Sequence, residues 1–210
     1  MEADMEIPDV KEKWTGKINT VTIGATKAEG GTRTKTVTVG GETTLPLLNF
    51  EGEIPYKPAI AGLIVDVVPD DWPEILKNAI GPVINNPADW AKKLVDEFGV
   101  DLICLKLHGI DPVAKNLSAD HAGKVTRSVL DAVGVPLIIW GCANETKDNE
   151  VLPVCSQIAR GERCLLGPVT EKNYRTMAAI GKADGHKLIA EAPVDINIAK
   201  QINILLQDAG

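Results

Sequence analysis

Apolar and polar positions along this chain fall into two rhythms, a short continuous apolar run and then a stripe of period 3.6. The run Cys164-Leu165-Leu166-Gly167-Pro168-Val169 closes at Gly-Pro, as a buried strand entering a tight loop does. A helix is predicted after it. Thr170 is its expected cap, Glu171 suits the first turn, and Tyr174, Met177, Ala178 and Gly181 share one face before Gly185. The same pattern returns with a strand over Lys187–Pro193, a cap at Asp195 and an apolar stripe through Ile198, Ala199, Ile202, Leu205 and Leu206. Strands joined by a helix in this way run parallel.

Earlier copies of the unit are visible upstream. A strand over Ala59–Val67 leads into a long loop with Trp72-Pro73 and room for one helical turn. Asn86 then caps a helix with Pro87 at its first position and Trp90, Ala91, Leu94, Val95 and Phe98 as its buried face. Asp101–Leu107 is the second strand, followed by a helix capped by Ser118 and running to Gly134. Val135–Cys142 is the third, followed by Asn144 and a helix from about Asp148 to Ala159, kinked or delayed by Pro153. Five strands each followed by a helix suit either a complete flavodoxin-like doubly wound sheet or a (β/α)8 barrel cut after its fifth unit. Ligands lie at the carboxyl ends of the strands in both.

Residues 1–58 read as an N-terminal extension and residues 59–210 as the repeated domain. Lys17–Gly24 and Thr34–Gly40 form a predicted hairpin around the glycine-rich loop Gly24–Arg33, and residues 41–58 are an extended connection rich in proline. The loop offers two cations and exposed amides, so it is either a plain hairpin loop or an anion cradle. It matches neither a P-loop nor a dinucleotide fingerprint.

Composition narrows the class. The chain is 44% apolar over 210 residues, with no apolar run of membrane-spanning length. Its start, Met1 to Glu6, is acidic where a signal peptide is basic and then apolar, so the expected location is the cytoplasm. A net charge of −7 disfavours nucleic acid or an anionic membrane as partner. The four cysteines, 104, 142, 155 and 164, make no Cys-x-x-Cys, which argues against a zinc site or iron-sulfur cluster held by this chain. Cys104, Cys155 and Cys164 read as core residues and Cys142, at a strand end, as the one able to face a site.

Candidate chemistry collects at the strand ends: Asp66, Lys106, His108, Asp111, Asn144, Thr170, Glu191, Asp195 and Asn197. His108 suits a general base or metal ligand, but it stands without a histidine cluster, because His121 and His186 are expected to face solvent. No nucleophile elbow or Cys-His-Asn set is visible, which removes the hydrolase readings.

The strings Ile23–Arg33, Asp101–Lys106, Glu162–Gly167 and Pro193–Leu206, in that order and spacing, resemble the small (delta) subunit of the corrinoid iron-sulfur protein, part of the carbon monoxide dehydrogenase/acetyl-CoA synthase system. The resemblance covers about residues 15–210. It implies a (β/α)8 barrel related to pterin-binding methyltransferases, here lacking its last three units, so the chain is expected to be a fragment of a longer natural one. It also implies a heterodimer with a large subunit that carries a four-iron cluster and the corrinoid domain, the cobamide being shared where the two meet. The methyl group is expected to pass from a methylated tetrahydropterin, through a separate methyltransferase, to cobalt and then to acetyl-CoA synthase. Asp120-His121-Ala122-Gly123 only superficially matches the Asp-x-His-x-x-Gly that supplies a cobalt ligand in other corrinoid proteins. The implied role is to cover the corrinoid and assemble the complex, with Asp111, Asn144, Thr170 and Asn197 facing cofactor or partner and with no metal ligands or covalent chemistry from this chain. A free-standing pterin-dependent methyltransferase using Asp66, Asn144 and Asn197, or a purely structural subunit, are the competing readings.

Overall fold

The computed structural model describes residues 10–209; the acidic start over Met1 to Glu6 and the terminal Gly210 lie outside the described residues. Two compact units are present. One comprises residues up to Thr22 together with Thr38–Pro58, and the other comprises Ile23–Val37 and Ala59–Gly210.

The two-stranded ribbon of β1 (Val21–Ile23) and β2 (Val37–Val39) lies where the chain passes between the units, and within the first unit the backbone pairing of Ile18 with Glu42 extends it. These strands are shorter than the alternation in Thr34–Gly40 predicts. The Thr22 and Thr38 hydroxyls lie 3.0 Å apart across the ribbon.

The second unit is an α/β layer pair. Its strands β3 (Ala61–Val65), β4 (Leu102–Lys106), β5 (Leu137–Trp140), β6 (Leu165–Val169) and β7 (Lys187–Ala190) form one parallel sheet in chain order. A flavodoxin-like sheet has the order 2-1-3-4-5, so that alternative does not describe this chain. The first and last strands are the two edges, as a barrel wall opened between its fifth and first strands requires.

The helices are α1 (Glu74–Ile80), α2 (Pro87–Phe98), α3 (Ala119–Ala132), α4 (Glu145–Ile158), α5 (Tyr174–Asp184) and α6 (Ile196–Asp208). From α2 to α6 each packs on the next, forming a single layer. A side chain at Gly62 would meet Leu94 and Val100, which places Gly62 and Ile64 on the helix side. Register and alternation then place Ile103, Leu105, Leu137, Ile139 and Leu166 there too, all at most 1% exposed. Against them pack Ala91, Leu130, Leu152, Cys155, Met177 and Ile202. The opposite sheet face carries Leu63, Cys104, Lys106, Ile138 and Trp140, and Leu63 is 48% exposed.

Local signals set most helix starts. Asn86 accepts from the Ala88 and Asp89 amides, Ser118 from His121 and Asp195 from Asn197 and Ile198. Asn144 accepts from the Lys147 amide, so α4 begins at Glu145, ahead of the expected Asp148, and Pro153 lies inside it. Thr170 is not the cap of α5. That helix begins at Tyr174, and Asn173, 1% exposed, spans the gap by accepting from the Thr170 amide and donating to the Pro168 carbonyl. Phe98, expected on the buried face of α2, is its last residue before the Gly99 C-cap and is exposed.

The glycine-rich loop is a buttress at the amino ends of the strands. Arg33 is 4% exposed and spends every N–H group: Nε on Glu162 at 2.8 Å, Nη1 on the Val133 and Val135 carbonyls, Nη2 on Leu130 and Thr32. Glu162 also accepts from the Thr32 amide and hydroxyl. Gly24 and Arg163 exchange two bonds, and Thr34 donates to the Gly134 carbonyl. Gly31 passes so close to the Ala25 backbone that no side chain fits. Of the loop's two cations Arg33 is committed to Glu162, and the loop's Glu29 pairs with Arg163, so these contacts give the loop a structural role.

Candidate functional site

The polar face at the carboxyl ends of the strands holds an open cleft of about 340 Å³. It lies between the loop after β3 (Val67–Asp71) and the loop after β4, with His108, Asp111 and Val113–Lys115 on the second wall. Asp111 Oδ1 accepts from the Val113 amide at 2.9 Å, which folds the loop, and among the described residues Oδ2 has no hydrogen-bond partner. β4 and β5 pair side by side as far as Lys106 and Trp140, so the loops that follow them are neighbours.

Of the four residues expected to face cofactor or partner, Asp111 lines that cleft, beside the strand-end candidate His108. Asn144 stands at the next strand end, its Oδ1 engaged as the α4 cap and its amide NH₂ unbonded among the described residues. Thr170 lies one strand further; its hydroxyl oxygen accepts weakly from the Lys172 amide at 3.4 Å. A Lys172–Glu145 ion pair at 3.5 Å ties the loop after β6 to the first turn of α4, so Asn144 and Thr170 belong to joined loops. Asn197 is exposed in the first turn of α6, where only its backbone amide is engaged, by Asp195. The structure thus brings Asp111, Asn144 and Thr170 onto consecutive strand ends and leaves Asn197 apart.

Two histidines differ from the expected solvent-facing placement. His186 is 6% exposed: Nδ1 accepts from the Cys164 amide at 3.1 Å and Nε2 donates to the Ser156 carbonyl at 2.9 Å. Burial holds its pKa below the ordinary value despite the neighbouring Ser156 carbonyl and Asp184 carboxylate. His121 turns Nε2 inward to within 3.4 Å of Asp66 Oδ2, and the Asp66 side chain is fully shut from solvent. Neither ring offers an outward nitrogen pair, and among the described residues no group of three or more His, Cys, Asp or Glu is placed to hold a metal ion.

The thiols are not activated. Burial pushes Cys104, Cys142 and Cys155 up to about 11 and Cys164 up to about 12. Cys104 lies half-buried on the sheet face away from the helices, where the sequence suggested core. Beside Cys142, Asp148 is 1% exposed and accepts from the Cys142 and Ala143 amides, though burial still raises its pKa. Asp148 and Asn173 shape this face, yet both lie inside helical patterns with nothing local to mark them. Among the described residues no helix is long and apolar enough to cross a membrane.

The family model of the CO dehydrogenase/acetyl-CoA synthase delta subunit matches residues 20–210. An acetyl-CoA decarbonylase/synthase complex subunit delta of Archaeoglobus fulgidus is 40% identical over 198 residues, 92% of this chain and 43% of its own length. The subunit delta of Methanocaldococcus jannaschii is 36% identical over 210 residues, all of this chain and 51% of its own. A subunit delta 1 of Methanosarcina thermophila is 35% identical over 96% of this chain and 46% of its own. The chain therefore spans about half the length of the curated relatives it matches.

Proposed function

The chain belongs to the CO dehydrogenase/acetyl-CoA synthase delta subunit family, and from that premise we propose that it helps hold and cover a corrinoid during methyl transfer in acetyl-CoA synthesis or cleavage. The observation that carries the reading is a face of polar groups left without partners among the described residues. Asp111 Oδ2, the Asn144 amide and the exposed Asn197 amide remain open, and Thr170 holds one weak bond, all at the carboxyl ends of parallel strands. Neutral amides and a hydroxyl suit the amide-fringed rim of a corrin ring, and three of the four stand on consecutive strand ends. When bound, the corrinoid supplies a cobalt centre that carries the methyl group. The chain's own residues cover and orient.

In this reading the partners are a large corrinoid iron-sulfur subunit, a methyltransferase and acetyl-CoA synthase, in the cytoplasm. The parallel sheet, with its single helix layer and bare edge strands, is part of a (β/α)8 wall. Further βα units are then needed to cover Leu63 and Trp140. The pterin-dependent methyltransferase reading is less well supported, because Asp66 is buried and bonded to backbone amides rather than open to a ligand.

The test is corrinoid retention in the assembled complex, followed by visible absorbance and cobalt content. Replacing Asp111, Asn144, Thr170 and Asn197 together by alanine is expected to lower retention and slow methyl transfer. Unchanged retention and transfer would overturn the reading, and tight methyl-tetrahydropterin binding by the chain without its partners would favour the methyltransferase.

A further inference from the structure

The polar wall of the cleft depends on a carboxylate that does not itself line it. Asp66 Oδ1 accepts from the Val67 amide at 2.9 Å and from the Gly109 amide at 2.7 Å. A single side chain thereby bonds the loops that follow two adjacent strands, the two loops that form the cleft. Gly109 has no room for a Cβ, which would lie 2.6 Å from Val67 Cγ2, 2.8 Å from Asp66 Oδ2 and 2.9 Å from Leu117 Cδ1. Asp66 Oδ2 and His121 Nε2 are both buried without a hydrogen bond and face each other at 3.4 Å. Leaving two such groups unbonded is costly, so their retention calls for a reason beyond packing.

We infer that Asp66 is a positioning residue for the cleft: it pins the 107–117 loop to the end of β3, so that His108 and Asp111 face the opening, while its second oxygen lies 3.4 Å from His121 Nε2. The inference rests on the proposed role of this face.

The experiment compares Asp66→Ala and Asp66→Asn in the assembled complex, by hydrogen exchange and by corrinoid content. Asp66→Ala removes the shared acceptor; exchange in residues 107–117 is expected to rise on the order of ten- to a hundredfold, with strand 103–105 unchanged. Asp66→Asn keeps an acceptor oxygen and is expected to restore exchange to within about threefold of the parent. If Asp66→Ala does not assemble, Gly109→Ala displaces the same loop by its Cβ and is expected to raise the same exchange. Unchanged exchange in 107–117 in the Ala variants, or an Asn variant as fast as Ala, overturns the inference. Asp111→Ala separates the two ideas. Faster exchange with full corrinoid retention in both Asp66→Ala and Asp111→Ala upholds the positioning and sinks the proposed role of the face; loss of corrinoid in Asp111→Ala with unaltered exchange in Asp66→Ala does the reverse.

Discussion

Replacing Arg33 by methionine tests whether the glycine-rich loop is a structural lock. The Arg33 and Glu162 side chains are 3% and 6% exposed and 2.8 Å apart. Methionine keeps much of the stem volume but strips the Leu130, Val133 and Val135 carbonyls of their donor and leaves Glu162 with only Thr32. Breaking one half of a buried pair costs about 3–5 kcal/mol, because the surviving charge stays desolvated. At about 2–4 °C per kcal/mol for a domain of this size, the melting temperature should fall by roughly 6–20 °C. Glu162→Leu should cost a similar amount. The double variant should cost far less than the sum, with a coupling of about 2–3 kcal/mol, since neither charge is then stranded. Urea unfolding with an unchanged slope measures all three. A loss below about 1 kcal/mol for Arg33→Met, or strict additivity, would refute the lock.

His186 sets a pH window. Its folded pKa is lowered by burial, so between that value and the ordinary 6.5 the unfolded chain binds more protons and stability falls as the pH drops. The urea midpoint should decline from pH 7.5 to 5.5 and do so less in His186→Gln. Glu29, held at about 2 chiefly by the Thr26 backbone amide and then by Arg163, adds a separate loss that begins only below its ordinary 4.5. Alkylation of Cys142 by iodoacetamide should be slow at pH 7.5 and rise steeply toward pH 11, followed by peptide mass spectrometry; rapid labelling at neutral pH would contradict the raised thiol. Asn86→Ala should cost about 1 kcal/mol by removing the cap of α2, read as a shift of the urea midpoint.

What was legible in the sequence was whatever a few neighbouring residues encode. Asn86, Ser118 and Asp195 announce their helices because a short polar side chain reaches amides two or three positions on. The five strand-helix units were legible for the same reason, but their order was not, since one period serves singly and doubly wound sheets alike. Thr170 was misread because Asn173, which does the bridging, resembles any polar residue of a first turn. His186 meets Ser156 and Cys164, 30 and 22 residues away, and Arg33 meets Glu162 at a separation of 129. No local pattern carries such pairs. At the candidate face the strand-end rule located Asp111, Asn144 and Thr170 on consecutive strand ends, while the buried Asp66–His121 contact needed coordinates.

The route of the chain between its two compact units limits how the protein can be taken apart. The polypeptide leaves the first unit at Thr22, contributes Ile23–Val37 to the second, and returns at Thr38. Residue 58 is therefore an unsafe place for a genetic cut, whatever the proline-rich stretch before it suggests. Removing everything upstream would carry off Arg33 and Thr32, the partners of the Glu162 carboxylate, and uncover the foot of the sheet. A recombinant chain that dispenses with the first unit must keep Ile23–Val37 and tether it to Ala59. A gene fusion or domain exchange has to respect three crossing points, after Thr22, after Val37 and after Pro58, rather than one.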